Sequence, residues 1–282
     1  MSCRPVSADP ILKYKALLAP MEGIMTPWFI KVCGKFDLVE HWITPFFSVT
    51  GGAVPSKRII RKRLQPFLET GKTITAQILG KDPDNILKCA ENMLETGLVS
   101  GINLNFSCPS PTVTGNGSGA AMLAYPDLVE KIIAEVRKNL PEKFPLSTKL
   151  RAGIVVPALE DAVKASVNGG ADLIIFHYRT KEEMYIPVPD GWNRIRRAVE
   201  TANKIPVYGN GDIKTPDDAE KMIRETGCRG VAAARAFFSD PLLISKINGF
   251  KASLPVDFPS EMKKENAPEP TIRAVCRFMQ MK

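Results

Sequence analysis

The sequence predicts an α/β protein folded as a (β/α)8 TIM barrel with a short C-terminal helical appendage. Eight brief β-branched or apolar runs recur along the chain, separated by helical patterns or helix-sized gaps. The runs lack the strict alternation of a half-solvated sheet, as expected of parallel strands covered on both faces. All eight fall within residues 1–245 with no break in composition, which favours closure into a barrel over a doubly wound open sheet.

In order, the predicted strands are Ala16–Ala19, Leu38–Ile43, Thr73–Ile78, Gly101–Asn105, Leu146–Lys149, Leu173–Phe176, Pro206–Tyr208 and Gly230–Ala233. Between them, Ile86, Ala90, Met93 and Leu94 recur at helical spacing, as do Leu128, Val129, Ile132, Ile133 and Val136. Asp82-Pro83, Tyr125-Pro126-Asp127 and Thr215-Pro216-Asp217 place proline and acid where a first helical turn accepts them. After Asp240-Pro241 the alternation stops. Residues 252–270 read as loop, with four prolines, before a basic amphipathic helix at Thr271–Lys282 carrying Arg273, Arg277 and Lys282. The barrel is therefore assigned to residues 1–245 and the appendage to 246–282, which is too short for a core of its own.

At 44% hydrophobic and 24% charged residues, the 282-residue chain can bury a large core, which excludes a disordered or fibrous protein. No apolar run reaches the roughly 18 residues of a membrane span, and Met1–Ile11 lacks the apolar stretch of a secretory signal. The six cysteines (Cys3, Cys33, Cys89, Cys108, Cys228 and Cys276) form no CxxC pair and no metal-ligand spacing, and read as thiols of a reducing cytoplasm. Histidine occurs only at positions 41 and 177, so a multi-histidine metal site is excluded and no metal is expected. The 38 lysines and arginines against 30 acids leave +8, which points to an acidic partner, either nucleic acid or a phosphorylated ligand. Five of these cations crowd into Lys57-Arg58-Ile59-Ile60-Arg61-Lys62-Arg63, readable as a solvated helix face or as a phosphate-contacting patch.

A barrel carries its chemistry at the C-terminal ends of its strands. There the sequence places Pro20-Met21-Glu22, Gln77, Asn105 with Cys108, Lys149 with Arg151, His177 with Arg179, Asn210-Gly211-Asp212, and Ala234-Arg235. So many polar strand ends exceed what folding requires. Barrels commonly hold a phosphate after their last two strands; here Tyr208-Gly-Asn-Gly-Asp-Ile213 offers small residues, with Arg235 and His177 as cationic or donor partners. The cluster Gly115-Asn-Gly-Ser-Gly-Ala120 matches a dinucleotide fingerprint, but it stands ten residues past its strand and lacks the downstream acid, so it reads as a flexible lid or substrate loop. Cys33, Cys89 and Cys228 suit small buried apolar positions. Cys108 lies instead on a proline-bounded loop at the catalytic face, where a thiol serves as nucleophile, general base or general acid. Lys149 at a buried strand end calls for an anionic or electron-rich ligand.

Leu18-Ala-Pro-Met-Glu-Gly23, Gln77-Ile-Leu-Gly80, Asn105-Phe-Ser-Cys-Pro-Ser-Pro111, Lys149-Leu-Arg151, His177-Tyr-Arg-Thr180 and Gly209-Asn-Gly-Asp-Ile213 occur in the order and spacing of the tRNA-dihydrouridine synthases, which the chain resembles from residue 17 to about 243. The resemblance implies an FMN-binding barrel that reduces a uridine of tRNA, in the D-loop, to 5,6-dihydrouridine with electrons from NADPH or NADH. It implies that Pro20, Met21 and Glu22 line the flavin ring, that Gln77 bonds its polar edge, and that Lys149 sits beside it. His177, Asn210, Gly211, Asp212, Ala234 and Arg235 would hold the ribityl phosphate, while Asn105 and Arg151 grip the flipped-out uracil. Cys108 would be the general acid, protonating C5 as hydride from flavin N5 reaches C6. The partner implied is tRNA, with no membrane and no stable protein partner.

The chain departs from that family in three motifs. Ser107 stands where the family has glycine, Tyr178 puts a bulky ring near the phosphate, and Ala234-Arg235 replaces Gly-Arg. The family's C-terminal helical domain is also reduced to about 40 residues here. A small-molecule flavin enzyme similar to dihydroorotate dehydrogenase shares the Asn-x-Ser-Cys-Pro loop; His-x-Arg-Thr, Gly-Asn-Gly-Asp and the basic run at 57–63 argue against it. The retained Cys108 argues against a catalytically silent RNA-binding flavoprotein.

Overall fold

In the computed structural model, residues 10–253 and 257–280 are described. Nine strands form one sheet: β1 (Ala16–Leu18), β2 (His41–Ile43), β3 (Phe47–Ser48), β4 (Thr73–Leu79), β5 (Gly101–Asn105), β6 (Leu146–Arg151), β7 (Leu173–His177), β8 (Val207–Asn210) and β9 (Gly230–Ala233). Every ladder is parallel, in the spatial order β1-β9-β8-β7-β6-β5-β4-β2. β1 and β2 approach each other at the seam, so the sheet nearly closes on itself. Helices between the strands cover its outer face, and the architecture is the expected TIM barrel.

The second predicted strand splits in two. Leu38 and Val39 are buried ahead of the ladder, β2 pairs with the start of β4, and β3 pairs with its end, Phe47 opposite Ile78. Pro45 lies between β2 and β3 and has no N–H for the ladder, so pairing stops at Thr44 and resumes beyond the proline.

The helix-start signals act as expected. Asp82 caps helix Pro83–Thr96 through Asn85 N–H at 2.9 Å, and Thr215 and Asp218 form a capping box on Pro216–Thr226. Ile86, Cys89, Ala90 and Met93 are buried along the first of these helices.

His41 is buried beneath the barrel, its two ring nitrogens hydrogen-bonded to Thr73 Oγ1 (2.7 Å) and Thr75 Oγ1 (3.0 Å). Burial pushes its pKa down to about 3. The unfolded chain therefore takes up a proton near pH 6.5 that the native chain refuses until about pH 3, so stability falls with acidification across that window. Each pH unit removes up to about 1.4 kcal/mol through this residue. Urea midpoints of His41→Gln measured at pH 7.5 and pH 5 should differ less than those of the wild type; equal differences would remove His41 as the cause.

Beyond the barrel, Leu243–Asn248, Phe258–Lys264 and Glu269–Gln280 are helical. The second was expected to be loop; Asp257 caps it through Ser260 N–H and Pro259 occupies its first turn, a start signal that four nearby prolines obscured. Phe258 packs on Phe29 (ring centroids 5.1 Å apart), Phe278 packs on Phe238 (5.3 Å), and Ile272 and Val275 are buried. The segment thus continues the barrel's apolar layer while exposing Arg273 and Arg277. Lys282 and Cys3 lie outside the described residues.

Candidate active site

Parallel closure brings the strand ends to one face. Gln77 lies in β4, Asn105 ends β5, Lys149 and Arg151 close β6, and His177 and Asn210 end β7 and β8. Register pairs Asn105 with Lys149, Arg151 with His177, and His177 with Asn210, so these residues form a contiguous arc. The turn after β1 adds half-buried Pro20, buried Met21 and exposed Glu22. Gly211 and Asp212 follow β8, and Ala234 and Arg235 follow β9.

The Cys108 loop is locked from both sides. Asn105 Oδ1 accepts from Ser107 N–H (2.9 Å) and Cys108 N–H (3.0 Å), and Asn105 Nδ2 donates to Gln77 Oε1 (2.7 Å). Gln77 Nε2 donates to Asn103, which donates to Ser147, extending the network across the barrel interior. These bonds engage both Oδ1 and one Nδ2 hydrogen of Asn105. Arg151 donates through Nε to Ser107 O (2.7 Å) and through a terminal nitrogen to Thr180 O (3.0 Å).

Ser107 is buried, and its hydroxyl accepts from Lys149 Nζ at 2.9 Å. The serine that departs from the family motif is therefore the lysine's hydrogen-bond partner. No spacing rule signals this, because the contact crosses from the loop after β5 to β6. Burial, then the Arg151 charge, lowers the Lys149 pKa to about 7. Burial raises the Cys108 thiol above its ordinary value, against opposing pulls from the Ser110 amide, Lys149 and Arg151. A thiol so placed stays protonated at neutral pH, as a proton donor must.

The Gly115–Ala120 cluster does not join a strand directly to a helix as a dinucleotide fingerprint does. Helix Pro111–Gly115 and a 3-10 turn at Gly119–Ala124 pack behind the thiol, with Ala120 N–H donating to Cys108 O at 3.0 Å. Gly119 has φ +60°, and a Cβ there would lie 2.7 Å from Cys108 O, so this position requires glycine.

A second cluster centres on Asp212. Its carboxylate accepts from two guanidinium nitrogens of Arg179 (3.1 and 2.6 Å), from Tyr178 Oη (2.7 Å) and from Arg235 (3.0 Å). Partial burial alone would raise its pKa, but the bonds from Arg179 and Tyr178 and the Arg179 and Arg235 charges hold it below the usual range. The Tyr178 ring lies beside this cluster, with its hydroxyl on Asp212. It is 3% exposed and packs against Gly211 and Gly191, because side chains alternate and the residue after mouth-facing His177 turns outward under the helices. His177 Nδ1 accepts from Arg179 N–H (3.2 Å), which leaves Nε2 as the donor of the neutral ring. Burial and the surrounding Arg151, Lys149 and Arg179 charges push its pKa well down. Arg179 and Tyr178 were not among the cofactor contacts read from the sequence; the His-x-Arg-Thr motif carried both.

The basic run divides on helix Lys57–Leu68. Arg58, Arg61 and Lys62 are exposed. Lys57 pairs with Glu95 at 2.6 Å. Arg63, also exposed, has further contacts: its guanidinium stacks 4.0 Å from the Phe47 ring, donates to Phe46 O and lies near Glu22. β3, which the sequence did not reveal, supplies that ring.

Fold and site together define an α/β-barrel enzyme whose mouth gathers Lys149, Arg151, Arg179 and Arg235 beside a locked thiol. The family model for dihydrouridine synthase (Dus) matches residues 17–280, and the chain belongs to that family. Similar proteins include the tRNA-dihydrouridine(16) synthases of Ralstonia nicotianae (33% identical, covering 86% of this chain and 75% of that protein) and Pseudomonas putida (34%, covering 79% and 70%). That of Cupriavidus necator is 32% identical over 86% of this chain and 76% of its own. The crystal structure of TcOYE with pHBA shares the fold, with a TM-score of 0.59 at 10% identity over 86% of this chain and 92% of that one. Among the described residues, no helix is long and apolar enough to cross a membrane and no group of metal-ligating side chains assembles.

Proposed function

We propose that this protein reduces a uridine of tRNA to 5,6-dihydrouridine, with FMN bound at the strand ends and NADPH or NADH as electron donor. The observation that carries the reading is the Cys108 loop, fixed by Asn105 and set beside Lys149 and Arg151 in a member of this family. The names of the relatives support position 16 of the D-loop as the target, and the cytoplasm as the compartment follows from a tRNA substrate.

The donor set fits FMN. Arg151, Arg179 and Arg235 share the mouth with the Asp212 carboxylate, while Glu183 is matched by Arg194, and the excess positive charge is one that a phosphate dianion would balance. His177 through Nε2–H, Asn210, Gly211, Asp212, Ala234 and Arg235 would hold the ribityl phosphate, Asp212 chiefly by fixing Arg179 and Arg235. Gln77 and Lys149 would meet the flavin ring's polar edge, with Pro20, Met21 and Glu22 lining it. FMN, when bound, supplies hydride to uracil C6. Cys108 delivers the proton to C5 from Sγ, and Asn105 and Arg151 orient the ring through the hydrogens their loop contacts leave over. Arg58, Arg61 and Lys62, with Arg273 and Arg277 on the appendage from residue 246 onward, would meet tRNA phosphates.

The test joins cofactor and product. The purified protein should be yellow and release FMN on denaturation, and tRNA from cells lacking it should lack one dihydrouridine that the purified protein restores. A colourless protein that takes up no FMN, or efficient reduction of a free pyrimidine without tRNA binding at low salt, would overturn the reading.

A further inference from the structure

Seven large apolar side chains are exposed among the described residues, and five of them, Val155, Val156, Met184, Tyr185 and Ile186, lie on the loops after β6 and β7. The exposure reaches 68% at Val155 and Val156 and 61% at Ile186. These loops are built, not frayed. Gly153 and Pro157 form an antiparallel bridge and Ala158 N–H donates to Ala152 O at 2.7 Å, closing a tight turn with Val155-Val156 at its tip. At Gly153, φ is +145° and a Cβ would lie 2.3 Å from Val156 O, so the turn tolerates no side chain there. Lys181 N–H donates to Gly153 O (2.9 Å) and Glu182 N–H to Ile154 O (3.0 Å), which joins the two loops into one platform. Ile186 O accepts from Arg179 Nε at 2.8 Å, and Arg194 anchors Glu183 at 2.7 Å. A rigid scaffold that displays clustered apolar side chains to water marks an interaction surface.

Its position identifies the occupant. The Arg235 guanidinium lies 4.7 Å from the Tyr185 ring centroid, and Tyr185 lies within electrostatic reach of Arg151. The platform thus borders the mouth beside Arg151 and Arg235, where a polynucleotide delivering a base to Arg151 would meet it. Turning a nucleotide out of its stack exposes the faces of the bases beside it. Apolar side chains are what proteins set against such faces, whereas phosphates require cations. The one lysine on this stretch, Lys181, is paired with Glu182 at 2.6 Å.

We propose that Val155, Val156 and Ile186, with Met184 beside them, form the platform on which the nucleobases flanking the target uridine pack. The proposal rests on the tRNA reading above.

The test compares the holoenzyme with V155S/V156S/I186S, whose substitutions fall on exposed side chains and should leave the melting temperature and FMN content unchanged. The variant should bind tRNA at least about tenfold more weakly, because apolar area buried against the bases is lost, with a salt dependence parallel to the wild type because no cation is lost. A 2-aminopurine placed next to the target uridine should change fluorescence on binding the wild type and respond less to the variant at saturation. Unchanged affinity, or a flattened salt dependence, would overturn the proposal. So would a wild type that sediments as a dimer and a variant that sediments as a monomer, since the patch would then cover a second copy. A wild type that binds no tRNA at low salt instead sinks the tRNA reading itself, and the platform with it.

Discussion

Cys108→Ala should keep its FMN and its tRNA affinity while losing dihydrouridine formation by roughly 10²–10⁴-fold, the usual worth of a positioned general acid. The substitution removes only Sγ from a loop held by backbone contacts to Asn105 and Ala120, so neither the loop nor the barrel mouth need move. Flavin reduction by NADPH should stay near wild type, because that half-reaction needs no proton at uracil C5. The raised thiol pKa sets the pH dependence: an acid must be protonated, so wild-type turnover should hold through neutral pH and fall as pH rises above the ordinary thiol range. Cys89→Ala and Cys228→Ala, at buried positions away from the mouth, should leave turnover intact. Stopped-flow measurement of the two half-reactions checks this. Full tRNA turnover in Cys108→Ala would remove the thiol from the mechanism.

Asp212→Ala should be the most destabilising single change at the site. It strips the counter-charge from Arg179, which is 1% exposed, and an acceptor from Tyr178, which is 3% exposed. Breaking such a pair costs about 3–5 kcal/mol when fully buried, and the partial exposure of Asp212 and Arg235 places this case near about 3. A melting temperature lowered on the order of 5–10 °C is expected, together with loss of retained FMN. The acid response follows from the depressed pKa of the carboxyl. Its stabilisation is complete above the unfolded value near 3.9, and is lost as pH falls through the lower folded value. Thermal melts of wild type and Asp212→Asn between pH 7 and pH 3 test this, and equal melting temperatures at pH 7 would show that the cluster is not coupled to folding.

Most of the barrel's mouth was legible because strand ends are a local property. Asn105, Lys149, Arg151, His177 and Asn210 each end a short apolar run, and parallel closure must bring such ends to one face. Ser107 was visible only as a departure from a motif. Its use appears when β5 and β6 pair and bring its hydroxyl within 2.9 Å of Lys149 Nζ. Tyr178 was read only as a bulky ring near the phosphate; a motif letter does not say which side of the sheet its side chain takes, nor that its hydroxyl meets Asp212. Arg63 was read only as one of a basic run; that its guanidinium also stacks on Phe47 follows from a strand created by the break at Pro45.

By itself the sequence determined the barrel, the face that carries the chemistry, the proline-bounded cysteine loop and the basic run at 57–63, from patterns and motifs within single elements. Only the tertiary structure decided which of those residues touch. It directed Asp212 to Arg179, Tyr178 and Arg235, gave Lys149 its serine partner, and docked Phe258 and Phe278 onto Phe29 and Phe238. It also tied the loops after β6 and β7 into one exposed apolar platform. The physical reason is range. Helix and strand patterns repeat every few residues, whereas these contacts join positions tens to hundreds of residues apart, and their partners are set by strand register and by the side each side chain takes.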